Sequence, residues 1–242
     1  MDKNNLRIGE AAKMLNVSIQ TLRNWEKSGK LQAVRSAGGQ RFYRLDDLKR
    51  FALDIQKLGL IWATSPLPPE LPSEYYCERP DRFTSRVAKM ATELQQDGRS
   101  IPEDLASLLT LVAGEIGDNS FAHNMGSWRD TPGIFFAYDL GKRLIILADR
   151  GHGVKTTLQR VRPNLSSDID ALQVAFTEVI SGRSPEKRGN GLKVVRRVAE
   201  EHLIGLVFRS GIGVVTIPQG AGSMKIALSD GNVPGTYAVI SY

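Results

Sequence analysis

Residues 144–153 have the sequence Leu144-Ile-Ile-Leu-Ala-Asp149-Arg-Gly151-His-Gly153, which is the most informative pattern in the larger part of the chain. Its unbroken apolar run predicts a β-strand that is buried in the core. The strand ends in a carboxylate, and the two glycines that follow lack a Cβ, so the backbone there can approach a flat or anionic ligand closely. The stretch therefore predicts a core strand whose end forms part of a ligand site.

The segments around this strand predict an α+β fold. Helical patterns occur at 80–96, 102–125, 168–181 and 190–202, and strand patterns at 133–139, 143–148, 204–209, 212–217, 223–229 and 236–241. Helices that are grouped early and strands that are mostly adjacent late favour an α/β sandwich, in which helices cover one face of a mixed sheet.

The helix predicted from Pro102 carries polar side chains beside its apolar face, which comprises Leu105, Leu108, Leu109, Val112 and Ile116. Glu115 and Asn119 lie four residues apart along the edge of that face, whereas Asp118 points away from it. Polar side chains next to a core need partners or a ligand. Glu115 and Asn119 are therefore candidate ligand-binding residues.

Two later motifs add to this candidate site. Arg188-Gly-Asn-Gly191 opens a predicted helix, and the free amides and positive dipole end of a helix N-terminus suit a phosphate group. Pro234-Gly235-Thr236 begins the last predicted strand. Each motif is common by itself, so their order along the chain carries the argument.

That order and spacing resemble the GHKL superfamily of ATP-binding domains, which includes gyrase B, histidine kinases and MutL. Glu115–Asn119 is similar to the N box, Asp149–Gly153 to the G1 box, Arg188–Gly191 to the G2 box, and Gly235-Thr236 to the final Gly-Thr pair. The resemblance spans roughly residues 100–242. It implies a Bergerat-type sheet that binds ATP and Mg²⁺.

The resemblance also implies a role for each residue. Asp149 would accept the adenine amino group with support from Thr236, Gly151 and Gly153 would form the turn beside the nucleotide, and Asn119 would ligate Mg²⁺. The residues that would line or neutralise the phosphates are Lys187, Arg188, Gly189 and Gly191. Glu115 would polarise water or a hydroxyl group, which is the catalytic role in this class.

The net charge of the chain lies in its first quarter. Residues 1–57 contain 12 Lys and Arg against 6 Asp and Glu, whereas the remaining residues contain 20 of each. A basic module joined to a balanced one suggests that the first binds a polyanion, because phosphate neutralisation is the general source of nucleic-acid affinity. A basic surface that serves only solubility is the alternative.

The same region has the pattern of two short helices and a hairpin. The first helix carries Ile8, Ala11, Ala12 and Leu15, and the second, capped by Ser18, directs Ile19, Leu22 and Trp25 inward. Its outer face carries Gln20, Thr21, Arg23 and Asn24, and a hairpin with a glycine tip carries Arg35, Arg41 and Arg44. A helix fits a major groove, and a basic wing suits the phosphate backbone.

Residues 6–31 and 39–48 resemble the opening and the wing of MerR-type regulators, which have a winged helix-turn-helix. The resemblance implies that Arg23 and Arg41 contact phosphates of double-stranded DNA. The same module occurs in excisionases and transposon resolvases. The helix from Asp46 to about Leu58 ends too early to form the long dimerising coiled coil of MerR proteins, and their effector cysteines are absent.

These patterns predict three segments: a winged-helix DNA-binding domain at 1–60, a Pro-rich linker at 61–79 and an ATP-binding domain at 80–242. No stretch approaches 18 consecutive apolar residues, which favours a cytoplasmic protein without a membrane partner.

The function expected is a homodimeric transcriptional regulator gated by ATP and Mg²⁺. Two alternatives stay open: an ATPase or anti-sigma-type serine kinase localised by its DNA-binding module, and a recombination accessory factor. Whether the protein is an enzyme also stays open.

Overall fold

The computed structural model describes residues 5–15, 18–27, 31–36, 38–52, 54–96, 101–179, 190–220 and 222–242, without the side chains of residues 21, 50 and 52. The chain forms two compact units, Met1–Asp54 and Ile55–Tyr242. Each unit has its own hydrophobic cluster.

The N-terminal unit combines three short strands with three helices. In chain order they are β1 (Asn5–Arg7), α1 (Ile8–Met14), α2 (Ile19–Lys27), β2 (Val34–Arg35), β3 (Arg41–Arg44) and α3 (Leu45–Ala52). The strands pair antiparallel in the order β1-β3-β2. Ala11, Leu22 and Tyr43 are fully buried at the centre of the core, and Trp25 packs on Phe51 with ring centroids 4.7 Å apart. The inward position expected for Ile19 is wrong, since this side chain is 42% exposed.

The C-terminal unit contains a sheet and the helices packed on it. The helices are α4 (Ile55–Thr64), a 3-10 turn (Ser73–Tyr75), α5 (Pro80–Gln96), α6 (Glu103–Asn124), α7 (Gly153–Gln159), α8 (Asp168–Thr177) and α9 (Gly191–Glu201). The strands are β4 (Tyr76–Cys77), β5 (Ile134–Asp139), β6 (Leu144–Asp149), β7 (Gly205–Ile217) and β8 (Lys225–Ser241).

The five described strands of this sheet follow the order β4-β5-β6-β8-β7, and every neighbouring pair is antiparallel. The expectation of a mixed sheet is therefore wrong for the described residues. The last four predicted strands form two long ones, β7 and β8, whose pairing shifts register near Gly211. Gly211 has φ +59°, a backbone conformation that glycine adopts without strain.

Helices cover both faces of the sheet. On one face α5, α6, α8 and α9 pack on side chains such as Phe136 and Leu147. On the other face α4 packs on Phe135 and Ile146, which alternate with them along the same strands. The expectation of helices on one face only is wrong, because the unbroken apolar runs of β5 and β6 present a hydrophobic side in both directions.

The position of α4 also differs from the expected domain boundaries. The contact division falls after Asp54, and α4 packs on the sheet with Trp62 only 2% exposed. Within the segment expected to be a linker, Tyr76 and Cys77 pair with β5. Trp62, Leu71 and Tyr76 of this segment are therefore packed within the C-terminal unit, where they add apolar groups to the second face of the sheet.

The packing of α5 against α6 depends on one glycine. A Cβ placed on Gly117 would lie 2.1 Å from Cζ of Phe83, which is 1% exposed. On the same helix a Cβ on Gly114 would meet nothing within 4 Å. Gly117 therefore gives Phe83 the space it fills, whereas Gly114 gives no such space.

Gly117→Ala should lower the free energy of unfolding by about 1–3 kcal/mol, because the added methyl overpacks the core. The control Gly114→Ala should raise it by up to about 1 kcal/mol, since alanine favours the helix and meets no neighbour. Urea denaturation of both variants measures the difference. Equal effects of the two substitutions would contradict this packing.

Candidate functional sites

The carboxylate at the end of β6 is buried and surrounded by donors. Asp149 is 1% exposed. Its Oδ2 accepts hydrogen bonds from Ser120 Oγ at 2.8 Å and from Thr236 Oγ1 at 2.5 Å, and its Oδ1 accepts one from the Gly151 amide at 2.8 Å. Asp149 and Thr236 are also paired residues of β6 and β8. The structure thus brings together Asp149, Gly151 and Thr236, as the sequence predicts.

Two opposing effects act on the pKa of Asp149. Burial raises the pKa above its ordinary value of 3.8, because the charged form loses its hydration. Hydrogen bonds from Thr236, Gly151 and Ser120 act in the opposite direction, and burial is the larger effect. Any further hydrogen-bond donor that reaches this carboxylate would stabilise its charged form.

Glycines around Asp149 let the backbone approach its neighbours closely. A Cβ on Gly235 would lie 2.6 Å from Asp149 Oδ1, and a Cβ on Gly151 would lie 2.2 Å from Asn124 Nδ2. Gly153 has φ +76°, and a Cβ there would lie 2.7 Å from the carbonyl oxygen of Pro234. The backbone near the carboxylate therefore has the close approach that the two glycines of the β6 turn predict.

The polar edge of α6 faces the first turn of α9. A Cβ on Gly191 would lie 2.6 Å from Glu115 Oε2 and 2.9 Å from Asn119 Nδ2. Both polar side chains are half-buried, whereas Asp118 is exposed, as the helical pattern predicts. Glu115, Asn119 and the N-terminus of α9 therefore lie side by side.

Three buried polar residues of this region are missing from the sequence prediction. Ser120 and Asn124 lie on the buried face of α6, where Asn124 Oδ1 accepts from the His152 amide at 3.0 Å. Ser210 Oγ accepts from the Val154 amide at 2.9 Å and donates to the carbonyl of Gly235. The available signal was the spacing of four between Ser120 and Asn124 within an apolar stripe.

Lys187, Arg188 and Gly189, which are predicted to line the phosphates, lie outside the described residues. In the part of the chain that the structure describes, no cluster of three or more His, Cys, Asp or Glu could hold a metal ion. The Mg²⁺ expected at Asn119 therefore stays a prediction.

The outer face of α2 presents polar side chains to solvent. Arg23 and Asn24 are exposed, and Gln20 Nε2 donates to Asn24 Oδ1 at 3.1 Å. The side chain of Thr21 lies outside the described residues. The exposure of Gln20, Arg23 and Asn24 agrees with the outer face that the sequence predicts for α2.

The hairpin between β2 and β3 is tied to α2 by an acidic residue. Its tip contains Gly39 with φ +76°, and Arg44 is exposed. Arg35 Nη2 lies 2.8 Å from Glu26 Oε1, and Arg41 Nε lies 2.5 Å from Glu26 Oε2. Arg35 and Arg41, two of the three arginines predicted on the wing, therefore share one carboxylate, and the sequence prediction did not include Glu26.

These features define the N-terminal unit as a helix-turn-helix with a basic wing. Residues 7–43 match the family model described as MerR family regulatory protein. The N-terminal unit is therefore a MerR-family helix-turn-helix, a DNA-binding module of transcription regulators.

The match covers only this part of the chain. No curated protein matches the sequence. None of the described helices has the length and apolar character needed to cross a membrane.

Glu26 should titrate at low pH because of its two arginine partners. The hydrogen bond from Arg41 is the largest cause that holds the pKa of Glu26 below its ordinary value of 4.5. A lowered pKa in the folded state means that this pair stabilises the wing above pH 4.5 and loses that contribution as the pH falls to the lowered value.

Arg41→Met should therefore raise the pKa of Glu26 more than Arg35→Met does. Carboxyl NMR titration of Glu26 in the wild-type protein and both variants measures this order. A Glu26 that titrates at its ordinary value in the wild-type protein would show that the ion pairs do not form in solution.

Proposed function

We propose that this protein is a transcriptional regulator whose DNA binding responds to ATP and Mg²⁺ bound by its C-terminal unit. The N-terminal unit supplies the DNA-binding module. The observation that carries the nucleotide part is the buried Asp149 carboxylate, with donors on three sides and glycine backbone beside its Oδ1.

An amino group of a ligand would donate to the Asp149 carboxylate beside Gly235. Ser120 and Thr236 donate to Oδ2 through their hydroxyl groups, and the Gly151 amide donates to Oδ1. The Thr236 backbone also forms a hydrogen bond with the carboxylate. Gly235 lies beside Oδ1, where any side chain would block access. An exocyclic amino group such as that of adenine would approach Oδ1 on this side.

The edge formed by Glu115, Asn119 and Gly191 fits the phosphate end of the nucleotide. The amide oxygen of Asn119 is a type of ligand that Mg²⁺ accepts, and Mg²⁺ when bound supplies charge neutralisation at phosphate oxygens. The α9 N-terminus supplies amides that suit an anion. Lys187, Arg188 and Gly189 precede this helix in the sequence and would add to the same site.

The position of Glu115 favours a second candidate function, an ATPase or serine kinase. Its carboxylate lies beside the same turn of α9 as Asn119. A carboxylate there would orient a water molecule or a hydroxyl group toward a phosphate. The DNA-binding unit would then localise an enzyme, and Glu115→Ala would abolish its output while ATP and DNA binding remained.

For the DNA part, we infer that the outer face of α2 enters the major groove. Gln20, Thr21 and Asn24 would face base edges, while Arg23 and the wing residue Arg44 would contact phosphates. Arg35 and Arg41, held by Glu26, would reach the phosphates from the wing. We also propose a homodimer, since two-fold related half-sites are usual for this kind of module.

Asp149→Asn should lower ATP affinity at least roughly tenfold, because a hydrogen bond to a charged acceptor contributes about 1.5–3 kcal/mol. Calorimetric titration with ATP and Mg²⁺ measures the loss. The matched control is Asp139→Asn, which removes a carboxylate at the far end of β5, where it accepts from the Lys142 amide. If Asp149→Asn binds ATP with unchanged affinity, the adenine base does not bind at Asp149.

Arg23→Ala should weaken DNA binding and lower the slope of log affinity against log salt by about 0.9, the value for one phosphate contact. Gel shifts over a salt series on genomic fragments retained by the wild-type protein measure the slope. Arg197→Ala, which removes an exposed arginine of α9, is the control. A slope equal to that of the wild-type protein would contradict a phosphate contact at Arg23.

A further inference from the structure

Two residues of the candidate nucleotide site have chain neighbours that face the opposite side of the sheet. Asp149 ends β6 and Thr236 is its partner on β8, and these two side chains are hydrogen-bonded to each other. Successive residues of a strand point to opposite faces. Arg150 and Tyr237, the next residues in the chain, contact α4 on the other face.

Arg150 binds the C-terminal end of α4. Its side chain is fully buried, and its Nη1 donates to the carbonyl oxygen of Trp62. Its Nη2 lies 3.4 Å from the carbonyl oxygen of Pro66 and 2.5 Å from Asp130 Oδ2, and its Cζ lies 5.9 Å from the centroid of the Trp62 ring. A cation at the end of a helix satisfies carbonyls that lack partners within the helix.

Tyr237 binds the other end of the same helix. Its hydroxyl donates to the carbonyl oxygen of Gln56 at 3.0 Å, and its ring is 5% exposed within the cluster that includes Ile55 and Trp62. Both ends of α4 are therefore held by residues adjacent in sequence to the pair that carries the site carboxylate.

The place of α4 in the chain gives these contacts a consequence. The helix begins at Ile55, directly after the last residue of the DNA-binding unit. A buried arginine resists small displacements, because loss of its partners leaves an uncompensated charge. A displacement of the end of β6 would therefore move α4 or cost Arg150 its partners.

We propose that Arg150 and Tyr237 are coupling residues, which transmit occupancy of the Asp149 site to α4 and thereby to the DNA-binding unit that precedes it. This inference rests on the proposed nucleotide function. A ligand that binds Asp149 and Thr236 would favour one position of the ends of β6 and β8. Through their contacts with α4, Arg150 and Tyr237 would then favour one position of that helix. DNA affinity then differs between the bound and free states, as any coupling between two sites requires.

The test uses the full chain, with ATP and Mg²⁺ as ligand and a genomic fragment retained by the wild-type protein as DNA. In the wild type, ATP should change DNA affinity at least about fivefold, the lower range for coupled sites. In Arg150→Met this ratio should fall to about one, while ATP affinity stays within about threefold of the wild type. Hydrogen exchange of α4 should accelerate at the same time, since the helix loses its anchor.

Milder variants keep the test decisive if Arg150→Met does not fold. Tyr237→Phe removes only the hydroxyl that reaches Gln56, and Asp130→Asn removes only the charge opposite Arg150. Each should reduce the ATP-dependent ratio. The control is Arg162→Met, which breaks the exposed ion pair with Glu178 and should leave the ratio unchanged.

The outcomes separate this proposal from the nucleotide function. If the wild-type protein binds no ATP, the nucleotide function fails, and hydrogen exchange alone decides whether Arg150 and Tyr237 hold α4. If ATP binds but the ratio persists in Arg150→Met and Tyr237→Phe, or α4 exchanges at the wild-type rate in both, the coupling role is overturned.

Discussion

A carboxylate removed from water has to be surrounded by donors, and the C-terminal unit is arranged around one such group. Asp149 ends the central strand β6, and its partners come from α6, β8 and the turn that follows β6. Glycines at 151, 153 and 235 allow the backbone to come this close. The helix packing and sheet order serve to keep these donors in place, because an unsatisfied buried carboxylate would cost several kcal/mol.

The elements whose apolar pattern belongs to one face were predictable from the sequence. The bounds of α5 and α6 agree with the predicted helices to within a residue, and β5 and β6 were expected where they occur. The same holds for the convergence of Asp149 with Thr236 and of Asn119 with the first turn of α9. Helical spacing places Glu115 and Asn119 on one edge of α6, so the sequence pattern alone could predict that these two side chains face the same neighbour.

Other features depend on tertiary contacts that no local pattern encodes. One helix was expected from Asp46 to about Leu58, whereas the structure has α3 and α4 in different units, and α4 covers the second face of the sheet. The direction of neighbouring strands could not be predicted from the sequence either, because apolar runs do not distinguish parallel from antiparallel neighbours. No sequence pattern distinguishes Arg150 or Glu26 from other charged residues. Their importance follows from the structure, in which Arg150 is buried and Glu26 pairs with two arginines.

Calorimetric titrations of the wild-type chain with ATP and with GTP, both in the presence of Mg²⁺, test whether Asp149 reads the base. GTP has the same phosphates but presents a carbonyl oxygen where adenine presents its amino group, so it lacks the donor that we pair with the Asp149 carboxylate. We expect ATP to bind and GTP to bind far more weakly. Equal affinity for the two nucleotides, or no binding of either, would contradict this expectation.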